Sequence, residues 1–205
     1  MPTAPQRSTL FDLAGGHPAL DLVNSLDNRF RADGPNEMLE GFEELVRFMQ
    51  ETALISADQA QRLKQQPNNS AAAARALEAV KELREASAAV LYAVAKDKAP
   101  PPQDLQTLER YFQQADRQRH LCWDKRASWQ WNDDESNPDL TVWILAQSVR
   151  ELLFSEQLEQ MRTCDMDTCR WLFLDTSKNH SRRWCNMKVC GNRAKARRFQ
   201  ARGGS

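Results

Sequence analysis

The sequence carries no net charge, with 28 Lys+Arg against 28 Asp+Glu. It has no apolar run of the roughly 20 residues that a membrane helix needs, so no membrane partner is expected. Its first residues, MPTAPQRSTLFDL, have no apolar stretch of the secretory kind, which predicts a cytoplasmic protein. There is no internal repeat, and no low-complexity segment beyond an alanine run. No nucleophile–base pair, catalytic-metal signature or cofactor fingerprint is present, so no enzyme activity is expected. Cysteine is scarce except in one place: of five, four lie between Cys164 and Cys190, and Cys122 stands alone. What remains is 205 residues, 41% hydrophobic, with six tryptophans. That is enough for one full domain plus a small module.

The four clustered cysteines, Cys164, Cys169, Cys185 and Cys190, are spaced C-x4-C-x15-C-x4-C. In a cytosolic chain such paired spacing points to a metal rather than to disulfides. Zinc selects thiolates in tetrahedral geometry, and four of them close its coordination shell. One structural zinc per chain is therefore expected, with no open position for hydrolytic water. Iron–sulfur spacings are not matched. Between the pairs, Trp171–Leu174 suits a strand, Asp175-Thr176-Ser177 a turn, and Arg182-Arg183-Trp184 a returning strand. Cys122 reads as a small buried apolar residue.

The zero net charge hides a division. Residues 162–205 hold 11 basic and 3 acidic residues, and the other 161 hold 17 and 25, so the two parts carry +8 and −8. After Cys190 the chain has helical spacing. Val189, Ala196 and Phe199 share one face, while Lys195, Arg198 and Arg202 share another, with Arg193 and Arg197 stacked beside it. With Arg182, Arg183 and Lys188 at its root, this helix suits nucleic-acid phosphates, and arginine also reads guanine edges. The alternatives are a solvated basic face, an anionic protein, or the acidic body covering the helix when DNA is absent.

Upstream, residues 1–9 read as a loose arm. Leu10, Phe11 and Leu13 suit a short strand, Gly15-Gly16 a turn, and Pro18 the start of a helix. His17 reads as a structural hydrogen-bonding residue, with a ligand or base as the alternative. Helices are predicted over 39–52, 56–65 with Ser56 as N-cap, 71–96, 103–119 and 137–157, with breaks at Pro67-Asn68-Asn69-Ser70 and at 98–102. Leu121/Trp123 and Trp129/Trp131 alternate about a polar turn, which predicts a hairpin whose aromatic face covers the helical core. The other reading makes His17, Trp123, Trp129 and Trp131 a small-molecule effector pocket. The expected fold is α+β and mostly helical: a body over 1–160 with a short N-terminal strand and a hairpin, then a docked, treble-clef-like zinc finger over 161–205.

The segment WLFLDTSKNHSRRWCNMKVCGNRAKARRF resembles the CGNR zinc-finger family, named for the tetrapeptide found here as Cys190-Gly191-Asn192-Arg193. The segment GGHPALDLVNSLDNR resembles the opening of the ABATE domain that precedes this finger. The resemblance implies a stress-induced bacterial transcription regulator, with a body that senses or assembles and a finger that binds DNA. One departure is Lys178, where the resemblance leads us to expect arginine; the charge is kept and the bidentate fork is lost. DNA at the nucleoid is the expected partner, and a zinc-stabilised protein-interaction or RNA-binding module is the alternative. One finger covers little DNA, which leaves room for a homodimer.

Overall fold

A computed structural model of the chain describes residues 10–65, 70–132 and 136–203. The arm expected over 1–9 and the break at Pro67-Asn68-Asn69 lie outside these residues. The fold is α+β and mostly helical. Its first helix, α1 (Pro18–Asn24), has Pro18 at its first turn, and His17 caps it by accepting the Ala19 N–H on Nδ1 at 3.2 Å. Asp21 reaches back from α1 to accept the Gly15 N–H at 2.8 Å. A Cβ on Gly15 would lie 2.7 Å from that carboxylate oxygen, so only glycine permits this closure.

Two short strands, β1 (Leu26–Asp27) and β2 (Asn36–Glu37), pair antiparallel after α1. Helix α2 (Phe42–Glu51) buries Phe42, Leu45, Val46, Phe48 and Met49. Helix α3 (Ala57–Lys64) begins with a full capping box between Ser56 and Gln59. Ser70 caps α4 (Ala71–Val94), the longest helix, which buries Leu77, Val80, Leu83, Ser87, Val90 and Leu91. Helices α5 (Pro102–Arg117) and α6 (Asp139–Leu153) pack on α4 and on each other, and α1 lies across α4 and α6. Within this core Arg84 is almost wholly buried and forks onto Glu37, with both N–H···O distances 2.7 Å. The bidentate geometry satisfies a charge that would otherwise be very costly to bury.

Three expectations about the body need correction. Residues 10–13 form no strand: the Leu10 and Phe11 N–H groups donate to the Glu51 carboxylate at 3.1 Å. That carboxylate replaces a strand partner, and Phe11 packs edge-on against Phe48 with centroids 5.2 Å apart. The hairpin of β3 (Arg119–Asp124) and β4 (Arg126–Trp131) does form, with Leu121 opposite Trp129, but it does not cover the core. It meets the body at its base, where Trp131 stacks on Trp143 at 6.2 Å and Arg119 pairs with Asp116, while Leu121, Trp123 and Trp129 stay exposed. Cys122, on the other face of β3, is half-buried rather than buried.

After α6 a 3-10 turn (Glu156–Gln160) leads into β5 (Met161–Thr163), which pairs antiparallel with β6 (Leu172–Leu174). The partner of β6 is therefore upstream of the first cysteine. No strand forms over 182–184, where a single backbone bond, Asp165 N–H to the Arg183 carbonyl at 2.9 Å, holds the return. Strand β6 faces two ways: Leu172 and Leu174 lie in the helical core, and Phe173 lies in a second cluster with the cysteines. The period of two along a strand makes three residues sufficient for this.

Candidate metal centre

Each cysteine is placed by a local hydrogen bond. The Cys164 N–H donates to the Trp171 carbonyl at 2.8 Å, tying the first ligand to the start of β6. The Cys169 and Arg170 N–H groups both donate to the Met166 carbonyl, and Arg170 sits at φ 59°, so the chain reverses just after the second ligand. The third ligand precedes a one-turn π helix (Met187–Gly191), and the fourth lies within it. Asn186 caps it through its side chain, and its carbonyl accepts the Cys190 N–H at 2.9 Å. Helix α7 (Asn192–Gly203) follows directly, so the last ligand roots the helix as expected for a treble-clef-like order.

The four Sγ atoms lie within 4.8 Å of one another, with Cys169–Cys185 at 3.6 Å and Cys185–Cys190 at 3.8 Å. A tetrahedron with zinc–sulfur bonds of about 2.3 Å has sulfur–sulfur edges of about 3.8 Å, so the donor set already has the right size. Its electrostatics point the same way. Hydrogen bonds from the Cys169 and Cys185 thiols push the Cys164 thiol down to about 2. The hydrogen bond to Cys164 pushes Cys169 up, the bonds to Cys164 and Cys169 push Cys185 up, and burial pushes Cys190 up. One thiolate forms easily, and the next need a cation between them. The residues fit one structural zinc, which would draw all four sulfurs into the thiolate state and hold the loops together.

The finger is fastened to the body rather than tethered. The Asn24 side chain donates to the Leu172 carbonyl at 2.9 Å and accepts the Leu172 N–H at 3.0 Å, acting as a substitute strand partner. The Leu174 N–H donates to the Gly15 carbonyl at 2.9 Å. The Trp171 indole donates to Asp27 at 2.8 Å, and Tyr92 donates to the Arg170 carbonyl at 3.0 Å. Asn186 donates to Asp12 at 3.2 Å across the same seam. A cleft of about 270 Å³ lies there, lined by residues that include Asp12, Met38, Trp171, Cys169 and Arg193. Asn24, Asp27 and Asp12 were missed in the sequence, although polar residues on a short, otherwise buried helix were a signal for Asn24.

The basic residues divide into two groups. Arg182 is turned inward: its guanidinium lies 4.6 Å from the Phe173 ring centroid and donates to the backbone carbonyls of Trp184 and Cys185. It therefore builds the finger and is not free to meet nucleic acid. Buried Asp175 supports the same loop, accepting from Ser177 and from the Arg182 N–H. Arg183 pairs with Asp165 at 2.6 Å and lies over Trp184. Lys188, Arg193, Lys195 and Arg197 are exposed. The side chains of Arg198 and Arg202 lie outside the described residues. The apolar side of α7 is not covered: Val189 and Ala196 are exposed, and Phe199 is 79% exposed. Nor does the acidic body cover the basic side, since no ion pair joins Arg193, Lys195 or Arg197 to it among the described residues. The bonds of the seam all lie at the root of the finger, where Arg193 of α7 lines the same cleft as Asp12.

His17 and the three tryptophans are not gathered into a pocket. His17 is the N-cap described above, and burial lowers its pKa. Neither the cleft of the seam nor four other cavities among the described residues is lined by His17, Trp123, Trp129 or Trp131, and Trp123 and Trp129 stand exposed on the hairpin.

Compared with known families, residues 160–203 match the model of the CGNR zinc finger. Residues 16–156 match the model of ABATE, whose description is "putative stress-induced transcription regulator". No curated protein matches the chain.

Proposed function

This chain belongs to the ABATE family, and on that premise we propose that it regulates transcription by binding duplex DNA through α7. The observation that carries this reading is the position of α7. Its root is held by Cys190, its length is about 18 Å at 1.5 Å per residue, and its described cations are exposed and unpaired. A helix of this size enters a major groove, which is about 12 Å wide. The −8 body repels phosphate, so the duplex approaches from the finger side. The body senses a ligand or assembles the protein, and no step of the reading calls for catalysis. DNA as the partner would place the protein at the nucleoid, in the cytoplasm. Among the described residues no helix is long and apolar enough to cross a membrane.

The test is duplex binding by the zinc-loaded chain across a salt series. Each phosphate that a cation neutralises adds about 0.9 to the log–log salt slope, so replacing Arg193 and Arg197 by alanine should lower it by about 1.8. An unchanged slope would move the interface away from α7. A second reading is favoured by the uncovered Phe199, Val189 and Met187: a zinc-stabilised module that docks a protein or single-stranded RNA. Salt-insensitive binding, or preference for single strands over any duplex, would select it.

A further inference from the structure

The hairpin gathers three of the body's exposed large hydrophobic side chains on one surface, more than the Leu105–Phe154 groove does, and no partner covers them among the described residues. Its two faces differ in character. Leu121, Trp123, Ala127, Trp129 and Trp131 share one face with Arg119, while His120, Cys122, Asp124, Arg126, Ser128 and Gln130 share the other. On the apolar face Leu121 is 62%, Trp123 78% and Trp129 59% exposed. Side chains of this size carry about 150–250 Å² each, so their uncovered parts come to roughly 400 Å². That is as large as the largest patch on a typical monomer, which runs to about 300–600 Å².

We propose that this face binds the same face of a second copy of the chain, giving a twofold dimer. Nucleic acid does not suit it. The one cation on the face, Arg119, is already paired with Asp116 at 2.5 Å and lies over Trp129 at 4.7 Å. A neutral aromatic face calls for another apolar face. The shape is self-complementary: Trp123 stands directly opposite Ala127, a large ridge beside a gap. A twofold axis near the Leu121–Trp129 pair seats each Trp123 over the partner's Ala127. Two such faces remove roughly 800 Å² through the three large side chains, and the flanking strand residues bring the total near roughly 1,000 Å², the lower bound for a biological interface and the size of one that dissociates on dilution. The hairpin is fixed to the body by Trp131, so pairing it also fixes the two fingers relative to each other. Such an arrangement suits a two-part DNA site.

Sedimentation equilibrium of the full, zinc-loaded chain tests this. The wild type should show twice the chain mass, dissociating on dilution. Trp123→Glu and Trp129→Glu should each raise the dissociation constant by about 30-fold or more, the effect of losing an aromatic hot spot. Neither side chain lies in the core, so melting of the diluted, monomeric variants should match that of the monomeric wild type. Gln130→Glu, on the polar face, should leave the mass unchanged. A wild type that stays at single-chain mass at every concentration would overturn the proposal. So would Trp123→Glu and Trp129→Glu variants that associate like the wild type, or a Gln130→Glu variant that dissociates as readily as they do. None of these readouts depends on DNA.

Discussion

Asn24→Ala tests whether the finger is held by the body. The Asn24 carboxamide satisfies both the N–H and the carbonyl of Leu172, at 3.0 and 2.9 Å, and all of these groups are buried. Alanine leaves a donor and an acceptor without partners in a site too well packed to admit water readily. Each orphaned group costs about 1–3 kcal/mol, so the substitution should destabilise the zinc-loaded chain by about 2–6 kcal/mol. That is a large part of the roughly 5–15 kcal/mol that a domain of this kind has in total. Urea unfolding followed by far-ultraviolet circular dichroism gives the measurement, with the slope checked for constancy. The zinc content of the folded variant should stay at one per chain, since no sulfur is touched. A loss no larger than the roughly 0.5 kcal/mol of an ordinary surface substitution would refute the reasoning. It would mean that β5, the Gly15 carbonyl and the buried leucines position β6 without Asn24.

Cys185→Ser should reduce bound zinc from one per chain to none in metal analysis, because one of four sulfurs spaced for tetrahedral coordination is lost. Full zinc content would refute that. Glu37→Ala takes the carboxylate from both terminal nitrogens of the buried Arg84, leaving it Glu85 at 2.9 Å and Ser25 at 3.3 Å, and should cost up to about 3 kcal/mol in the same urea assay; a loss under about 1 kcal/mol would show that those two partners suffice. Asp21 is a pH handle, since burial pushes its carboxyl up to about 7 from 3.8. The folded state then binds the proton more tightly than the unfolded state, so its contribution is full below about pH 4 and is lost as pH rises to about 7. Asp21→Asn keeps an acceptor for Gly15 and should be more stable than the wild type at pH 8, by up to about 4 kcal/mol, with the gain gone near pH 4. Parallel stability–pH curves for the two proteins would contradict the assignment.

The helices and the metal ligands were legible because their signals are local. Ser56 announces a helix start by side-chain chemistry that acts within three residues, whereas Ser70, read as part of a break, turns out to cap α4 in the same way. The α4 stripe repeats over six turns, and four thiols at paired spacing leave little choice of chemistry. What was not legible depends on partners far away in sequence. Strand β5 is three residues long, too short to show a period, and its register with β6 is set by which hydrophobes the body can bury. The strand expected over 10–13 failed for a related reason, because the carboxylate that takes its N–H groups lies 40 residues away on α2. Arg182 and Arg183 look alike in sequence. Only the position of the Phe173 ring and the carbonyls of Trp184 and Cys185 turns the first inward and leaves the second outward. The hairpin's alternation was correctly read as one apolar face, but alternation does not say what that face meets.

Strand β6 explains why the metal centre and the body behave as one structure. Leu172 and Leu174 are buried in the helical core, while Phe173 packs with Cys164, Cys185 and Cys190. A movement of β6 relative to α1 therefore changes both cores at once. The same is true at the other ends of the seam, where Trp171 meets Asp27 and Asn186 meets Asp12. Helix α7 begins at Asn192, two residues after the last sulfur, and Ala194 in its first turn packs on the cysteine cluster. Its direction is consequently set by the cysteines, and the cysteines are set by β6 and Asn186. A body that changes shape on sensing or assembling would not need to touch α7 to redirect it; a shift of α1 or of residues 12–15 would be enough. The charge division meets along the same line, since Arg193 at the start of α7 lines the cleft of the seam together with Asp12 and Asp27. The seam between β6, α1 and residues 12–15 is therefore where a change in the body would reach the base of α7.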